Sequence, residues 1–394
     1  MYRREIEGSL PKTSFFLFGP RQVGKSTLLK AEPSLLTVDL LDPDERLAYT
    51  KTPKLFADQV LALSDRGTVF IDEVQRVPAL LDVVQQLMAE RAKIRFIMSG
   101  SSARKLRRGA SNLLGGRALY RTLHPLTMTE MGKSFDLDKV MAFGSLPAVW
   151  TRVTSGEHEL ARELLKAYVT TYVVEEVQAE ALVRNLRGFQ NFLDVAAAQF
   201  AEQVNFLGVS RDCQVSYPTV RDYYSILEDT LLGFFLRPYV KGVRKRMSQA
   251  PRFYFFDNGV TRVLLGNVDG RPSPLERGRL FEQWFVQEVV RLNEYHRKDF
   301  KLYFWRTSHG AEVDLLVEHQ GKIALAIECK HKPTVDRSDL SGLASLRETF
   351  PDIDCYIVAP VKRAQKVEFA KAVGPDEMLK IVAGPNLAFR GQLT

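Results

Sequence analysis

An apolar run, SFFLFG, passes directly into GPRQVGKST at residues 19–27, and no other feature restricts the possible fold as much. The spacing GxxxxGKS, filled by Gly19, Gly24, Lys25 and Ser26, belongs to a strand-to-helix turn whose backbone amides wrap a polyphosphate. Gly19 and Gly24 are expected to bring the main chain close to the anion and to take positive φ. Pro20, Arg21, Gln22 and Val23 form the loop between them. Lys25 offers an ammonium to the β- and γ-phosphates, Ser26 a hydroxyl to Mg²⁺, and Thr27 completes the binding stretch. The helix opening at Lys25 turns its positive end toward the anion.

A second strand, TVFIDEV at 68–74, ends in two carboxylates. Asp72 is expected to reach the Mg²⁺ shell, directly or through water, and Glu73 to orient or deprotonate the attacking water. The next strand, IRFIM, runs into SGSS, where Ser99 is the candidate for sensing the γ-phosphate, with Ser101 close behind. An arginine finger is worth about 10³–10⁵ in rate, so one is expected in cis or from a neighbouring subunit. Arg117, in GGRA before another strand, is the choice; Arg104, Arg107 and Arg108 are alternatives, or contacts to nucleic acid or a second subunit.

At 394 residues the chain exceeds the ~250–300 residues at which single cores stop growing, so two or three domains are expected. Residues 1–150 alternate short apolar runs (Phe15–Phe18, Leu35–Leu40, Thr68–Ile71, Ile94–Met98, Ala118–Tyr120) with helical patterns at 55–63 and 79–92. That alternation is the signature of a parallel α/β sheet. Residues 151–248 carry long helical patterns, then a turn, a helix with Val220, Tyr223, Tyr224 and Leu227, and an apolar run followed by KGVRKR. This middle region reads equally as a winged-helix-like module or a plain helical lid. Residues 249–394, beyond the boundary segment MSQAPR, run in the order α-β-β-β-α-β.

The composition excludes several classes. Hydrophobic residues are 45% and charged residues 26%, close to the globular average. No apolar run reaches the ~18 residues of a membrane span and no signal core opens the chain, so cytoplasmic residence is expected. Three cysteines without a CxxC pair suit a reducing compartment, and six scattered histidines lack metal-ligand spacing. A net charge of +8 favours a polyanionic partner, DNA among them, without identifying it.

GPRQVGKS, FIDEVQ, SGSSARKL with GGRA, LHPLTMTE and FGSLPAV together resemble a family of bacterial and archaeal AAA-type P-loop ATPases with a C-terminal domain of uncertain function. The helical segment VTTYVVEEV resembles the start of that domain, so the likeness covers nearly the whole chain. It implies ATP as the nucleotide, since no residue independently selects adenine, and it admits a homo-oligomer.

In AEVDLLVEHQGKIALAIECK two strands joined by a turn bring Asp314, Glu328 and Lys330 within reach of one another. Glu328 and Lys330 share a strand face, and two acids with a lysine are the parts of Mg²⁺-assisted phosphodiester cleavage. The pattern is similar to PD-(D/E)xK nucleases, the restriction-endonuclease-like α/β fold, and that likeness implies Glu282 as a further metal ligand. Two departures stand: Val313 rather than proline precedes Asp314, and Glu312, read as lying on the opposite strand face, competes as a ligand. An active nuclease and an idle ion network are equally open readings. An unpaired buried charge is costly, by about 3–5 kcal/mol for a broken pair, so the three residues should be mutually close in either case.

Overall fold

A computed structural model describes residues 2–91, 93–101, 113–173, 185–240 and 249–384. The first sheet is wholly parallel and contains β1 (Phe15–Phe18), β2 (Leu36–Asp39), β3 (Gly67–Asp72), β4 (Ile94–Gly100) and β5 (Leu119–Thr122) in the order β2-β3-β4-β1-β5. Placing β4 between β1 and β3 makes the loops after β1 and β3 neighbours across one strand, a topology suited to a site at the carboxyl edge. Alternation along β1 decides which core each side chain enters. Phe15 and Leu17 join a cluster shared with the rest of the molecule, while Phe16 and Phe18 pack with Val38, Phe56, Ile71 and Leu80 on the other face.

The second sheet is mixed and has eight strands, in the order β12-β13-β11-β10-β9-β8-β6-β7. These are β6 (Gly233–Pro238), β7 (Arg252–Phe255), β8 (Lys301–Arg306), β9 (Glu312–His319), β10 (Lys322–Cys329), β11 (Asp354–Val358), β12 (Gln365–Val367) and β13 (Ala370–Val373). The order helix, β8, β9, β10, helix, β11 is present, with Pro274–Tyr295 as the first helix and Ser341–Thr349 as the second. Gln320 and Gly321, at φ +51° and +82°, make the tight turn between β9 and β10.

The apolar run after the Tyr217–Asp229 helix is β6, which pairs antiparallel with β7 and parallel with β8 inside the C-terminal sheet. Its hydrophobic residues are satisfied by the larger sheet, so no sheet boundary falls at residue 248. The basic stretch 241–246, Arg104, Arg107 and Arg108, and the last four residues of the VTTYVVEEV segment lie outside the described residues.

One buried cluster runs from Ile6, Phe15 and Leu17 through Trp150, Phe192 and Tyr224 to Trp284, Tyr295 and Val358, and so joins both sheets and the helices between them. A third cluster, with Trp305, Leu316, Leu343 and Ile357, covers the far face of the second sheet. Among the described residues no helix is long and apolar enough to cross a membrane.

Candidate functional site

The phosphate loop leaves β1 at its carboxyl end, and the helix after it spans Lys25–Leu29. Gly24 takes φ +98°, the left-handed conformation expected of it, and the non-glycine Gln22 sits at +61°. Gly19 is required for a different reason from the expected one: its φ is not positive, but a Cβ there would lie 2.2 Å from the carbonyl oxygen of Leu123. Lys25 is buried, and its ammonium donates to the carbonyls of Gly19 and Pro20 at 2.8 and 3.0 Å, which draws the loop around its own cation.

Asp72 ends β3 and Glu73 follows it at φ +55°. Ser99, on the intervening β4, is fully buried; its hydroxyl donates to Asp72 Oδ1 and accepts the Glu73 main-chain N–H at 3.1 Å. It thus stands on the strand between the phosphate loop and the two acidic residues, with its hydrogen bonds running to the latter. Asp72 Oδ2 is buried and has no hydrogen-bond partner among the described residues. A carboxylate oxygen left open beside a phosphate loop fits a divalent cation, with the Ser26 hydroxyl as the second protein donor. Glu73 Oε2 accepts a hydrogen bond from Gln75 Nε2, which also donates to Ser101 Oγ at 3.0 Å.

Arg117 sits elsewhere. Leu119 pairs with Phe15, so Arg117, two residues earlier, lies at the amino edge of the sheet, opposite the phosphate loop. It is exposed there, and its guanidinium donates to the Gln85 carbonyl at 3.4 Å.

Beside the loop opens a cavity of about 830 Å³, lined among others by Gly24, Thr27, Leu28, Tyr2, Pro147 and Thr151. The N-terminal segment forms one wall and the Pro147–Thr154 helix another, joined by a 3.1 Å hydrogen bond between the Tyr2 and Thr151 hydroxyls. Arg4, 6% exposed, fastens that wall. It donates to the carbonyls of Val23 and His124, both at 2.6 Å, and pairs with Glu130 at 3.0 Å.

The C-terminal cluster is organised by Arg252, a residue that sequence reasoning missed. Its guanidinium meets Glu282 at 2.8 Å, Asp314 at 3.1 Å and Glu312 at 3.0 Å, and stacks 4.9 Å from the Phe304 ring centre. Glu312 and Asp314 therefore lie on one side of β9, where the sequence reading put them on opposite faces. Period two already relates residues two apart, and the register shift in the β8–β9 pairing falls between Val313 and Leu316. The other Asp314 oxygen accepts the Cys329 main-chain N–H at 2.9 Å, and Tyr254 donates to Glu282 at 2.6 Å.

Lys330 pairs with Glu328 at 2.7 Å. Burial first, and then the Asp314 charge, push the carboxyl pKa values of both Glu282 and Glu328 upward. Burial pulls the Arg252 value down, but its acidic neighbours outweigh that and hold it well above the usual range. Among the described residues no set of three or more His, Cys, Asp or Glu side chains is disposed to hold a metal ion. The sequence signal for Arg252 was a lone cation opening the otherwise apolar RFYFF.

Residues 11–132 match the family model of an AAA domain. Residues 134–270 and 277–375 match two domains of unknown function, DUF8612 and DUF4143. Uncharacterized proteins of Mycobacterium bovis and Mycobacterium tuberculosis are each 29% identical to the chain over 338 residues, covering 84% of this chain and 74% of theirs. The parallel sheet, the phosphate loop and the AAA-domain match together support an ATP-binding, AAA-type protein with a nucleotide-hydrolysing P-loop domain in its first third.

Proposed function

We propose that the chain is a Mg²⁺-dependent, ATP-hydrolysing AAA-type protein that acts as a nucleotide-switched interaction protein, its nuclease-like cluster held idle by Arg252. The observation that carries the ATPase reading is the juxtaposition of the Lys25 loop with Asp72, Ser99 and Glu73 across three adjoining strands. Lys25 and the loop amides bind the phosphates, while Ser26 and Asp72 would hold a cation, whose charge would offset that developing on the transferred group. Ser99 fixes Asp72, and Glu73 receives the proton of the attacking water. The cavity walled by Tyr2 and Thr151 takes the nucleoside, which makes the N-terminal segment part of the nucleotide site. Arg117, exposed at the far edge of its own sheet, serves as a finger only on a neighbouring copy.

Arg252 favours an idle cluster over an active nuclease: a fixed guanidinium already neutralises the carboxylates that a cation would need. ATP turnover and DNA cleavage, measured side by side for the parent, Lys25→Ala and Asp314→Ala, test both parts. The expected result is turnover lost only in Lys25→Ala, with no DNA cleavage in Mg²⁺ or Mn²⁺ for any of them. Cleavage by the parent that disappears in Asp314→Ala would overturn the idle assignment, and undiminished turnover in Lys25→Ala would overturn the ATPase.

A further inference from the structure

Glu73 reaches the site in an unusual way. It is a non-glycine residue at φ +55° and ψ +46°, so the chain turns sharply after Asp72 and carries Glu73 off the line of β3. Its main-chain N–H is fixed by Ser99 at 3.1 Å. A glutamate side chain keeps three rotatable bonds beyond that point, so a fixed backbone alone does not aim the carboxylate.

Gln75 supplies the missing constraint. It stands two residues on, in the single 3-10 turn Val74–Arg76, and is 8% exposed, as is Glu73. One hydrogen of its amide goes to Glu73 Oε2 and the other to Ser101 Oγ at 3.0 Å, just past the end of β4. The amide therefore bridges the carboxylate to the strand that separates β3 from β1. Gly100 makes room for this bridge: a Cβ there would come within 2.6 Å of Gln75 Oε1. Three features thus converge on one geometry, namely the turn, the shared amide and the side-chain-free Gly100.

We propose that Gln75 is a positioning residue for hydrolysis: by claiming Glu73 Oε2 and anchoring it to Ser101, it leaves Oε1 as the oxygen that addresses the attacking water. The inference rests on the reading of Glu73 as the residue that receives the water proton. Methionine matches glutamine in length and flexibility but has no N–H, so Gln75→Met removes the donor and keeps the packing. Its expected effect is a fall in kcat of about 10- to 100-fold, with KM for ATP, affinity for a non-hydrolysable ATP analogue and Tm all as in the parent. Ser101→Ala, which frees the far end of the bridge, should give a smaller fall of the same kind. Gly100→Ala, which displaces the amide, should resemble Gln75→Met.

Turnover in Gln75→Met within about twofold of the parent would overturn the proposal. So would a loss of analogue binding and Tm that accompanies the fall in all three variants, which would show a merely structural role. Glu73→Gln separates this failure from that of the underlying reading. If Glu73→Gln turns over ATP as fast as the parent, the role of Glu73 itself is wrong; if it is inactive while Gln75→Met is normal, only the role of Gln75 is.

Discussion

Ser99 joins the cation-binding and water-activating candidates through one hydroxyl, which donates to Asp72 and accepts from the Glu73 backbone. Removing it leaves a buried N–H without a partner and Asp72 without its donor. Ser99→Ala should therefore destabilise the protein by about 1–3 kcal/mol, read by urea denaturation, and lower kcat as Asp72 loses its fixed orientation. The residues whose grouping was legible in the sequence, from Gly19 to Ser26 with Asp72 and Glu73, are those placed by neighbours along the chain. Arg4 and Arg252 were not, because their partners lie far away in sequence: Arg4 bonds to the carbonyl of His124, and Arg252 to Asp314. A lone arginine carries no local spacing that announces such a partner.

Elements behave similarly. β1, β3 and β4 were readable because strands buried on both faces give near-continuous apolar runs, and turn residues bound them. β6 was readable as a strand but not in its partners, since an apolar run does not say which sheet will cover it. On β9 the acidic side is closed by Arg252 from β7 and by Glu282 from the Pro274–Tyr295 helix. Replacing Arg252 by Met strands three carboxylates in a largely buried place. A loss of about 3–5 kcal/mol is expected, partly restored in the double variant with Asp314→Asn. Chemical denaturation of the single and double variants checks this, and an unchanged Arg252→Met stability would mean that the guanidinium is not what holds these strands together.

At the scale of the whole molecule, the Pro274–Tyr295 helix ties the two sheets together. Arg291 donates to the Leu126 carbonyl at 3.0 Å, Glu288 accepts the Met128 N–H at 2.9 Å, and the Tyr295 hydroxyl accepts the His124 N–H at 2.9 Å. Burial raises the Glu288 carboxyl pKa from its usual 4.5 to about 7, outweighing Arg291. A carboxyl whose pKa is raised by folding takes up a proton as the chain folds. Its contribution is therefore full below about 4.5 and is lost as pH climbs through about 7. Glu288→Gln should remove that slope, at most about 1.4 kcal/mol per pH unit, so that Tm against pH is flatter in the variant than in the parent over this window.

Because the largest cluster of buried side chains draws on residues from Ile6 to Val382, the seams between the matched segments, near residues 133 and 271–276, are not places where the protein comes apart. A gene trimmed at either seam would yield a polypeptide with bare oily flanks, prone to clump. Silence from such a fragment in an assay would report the wound rather than the missing chemistry, and point replacements in the intact chain are the sounder genetics.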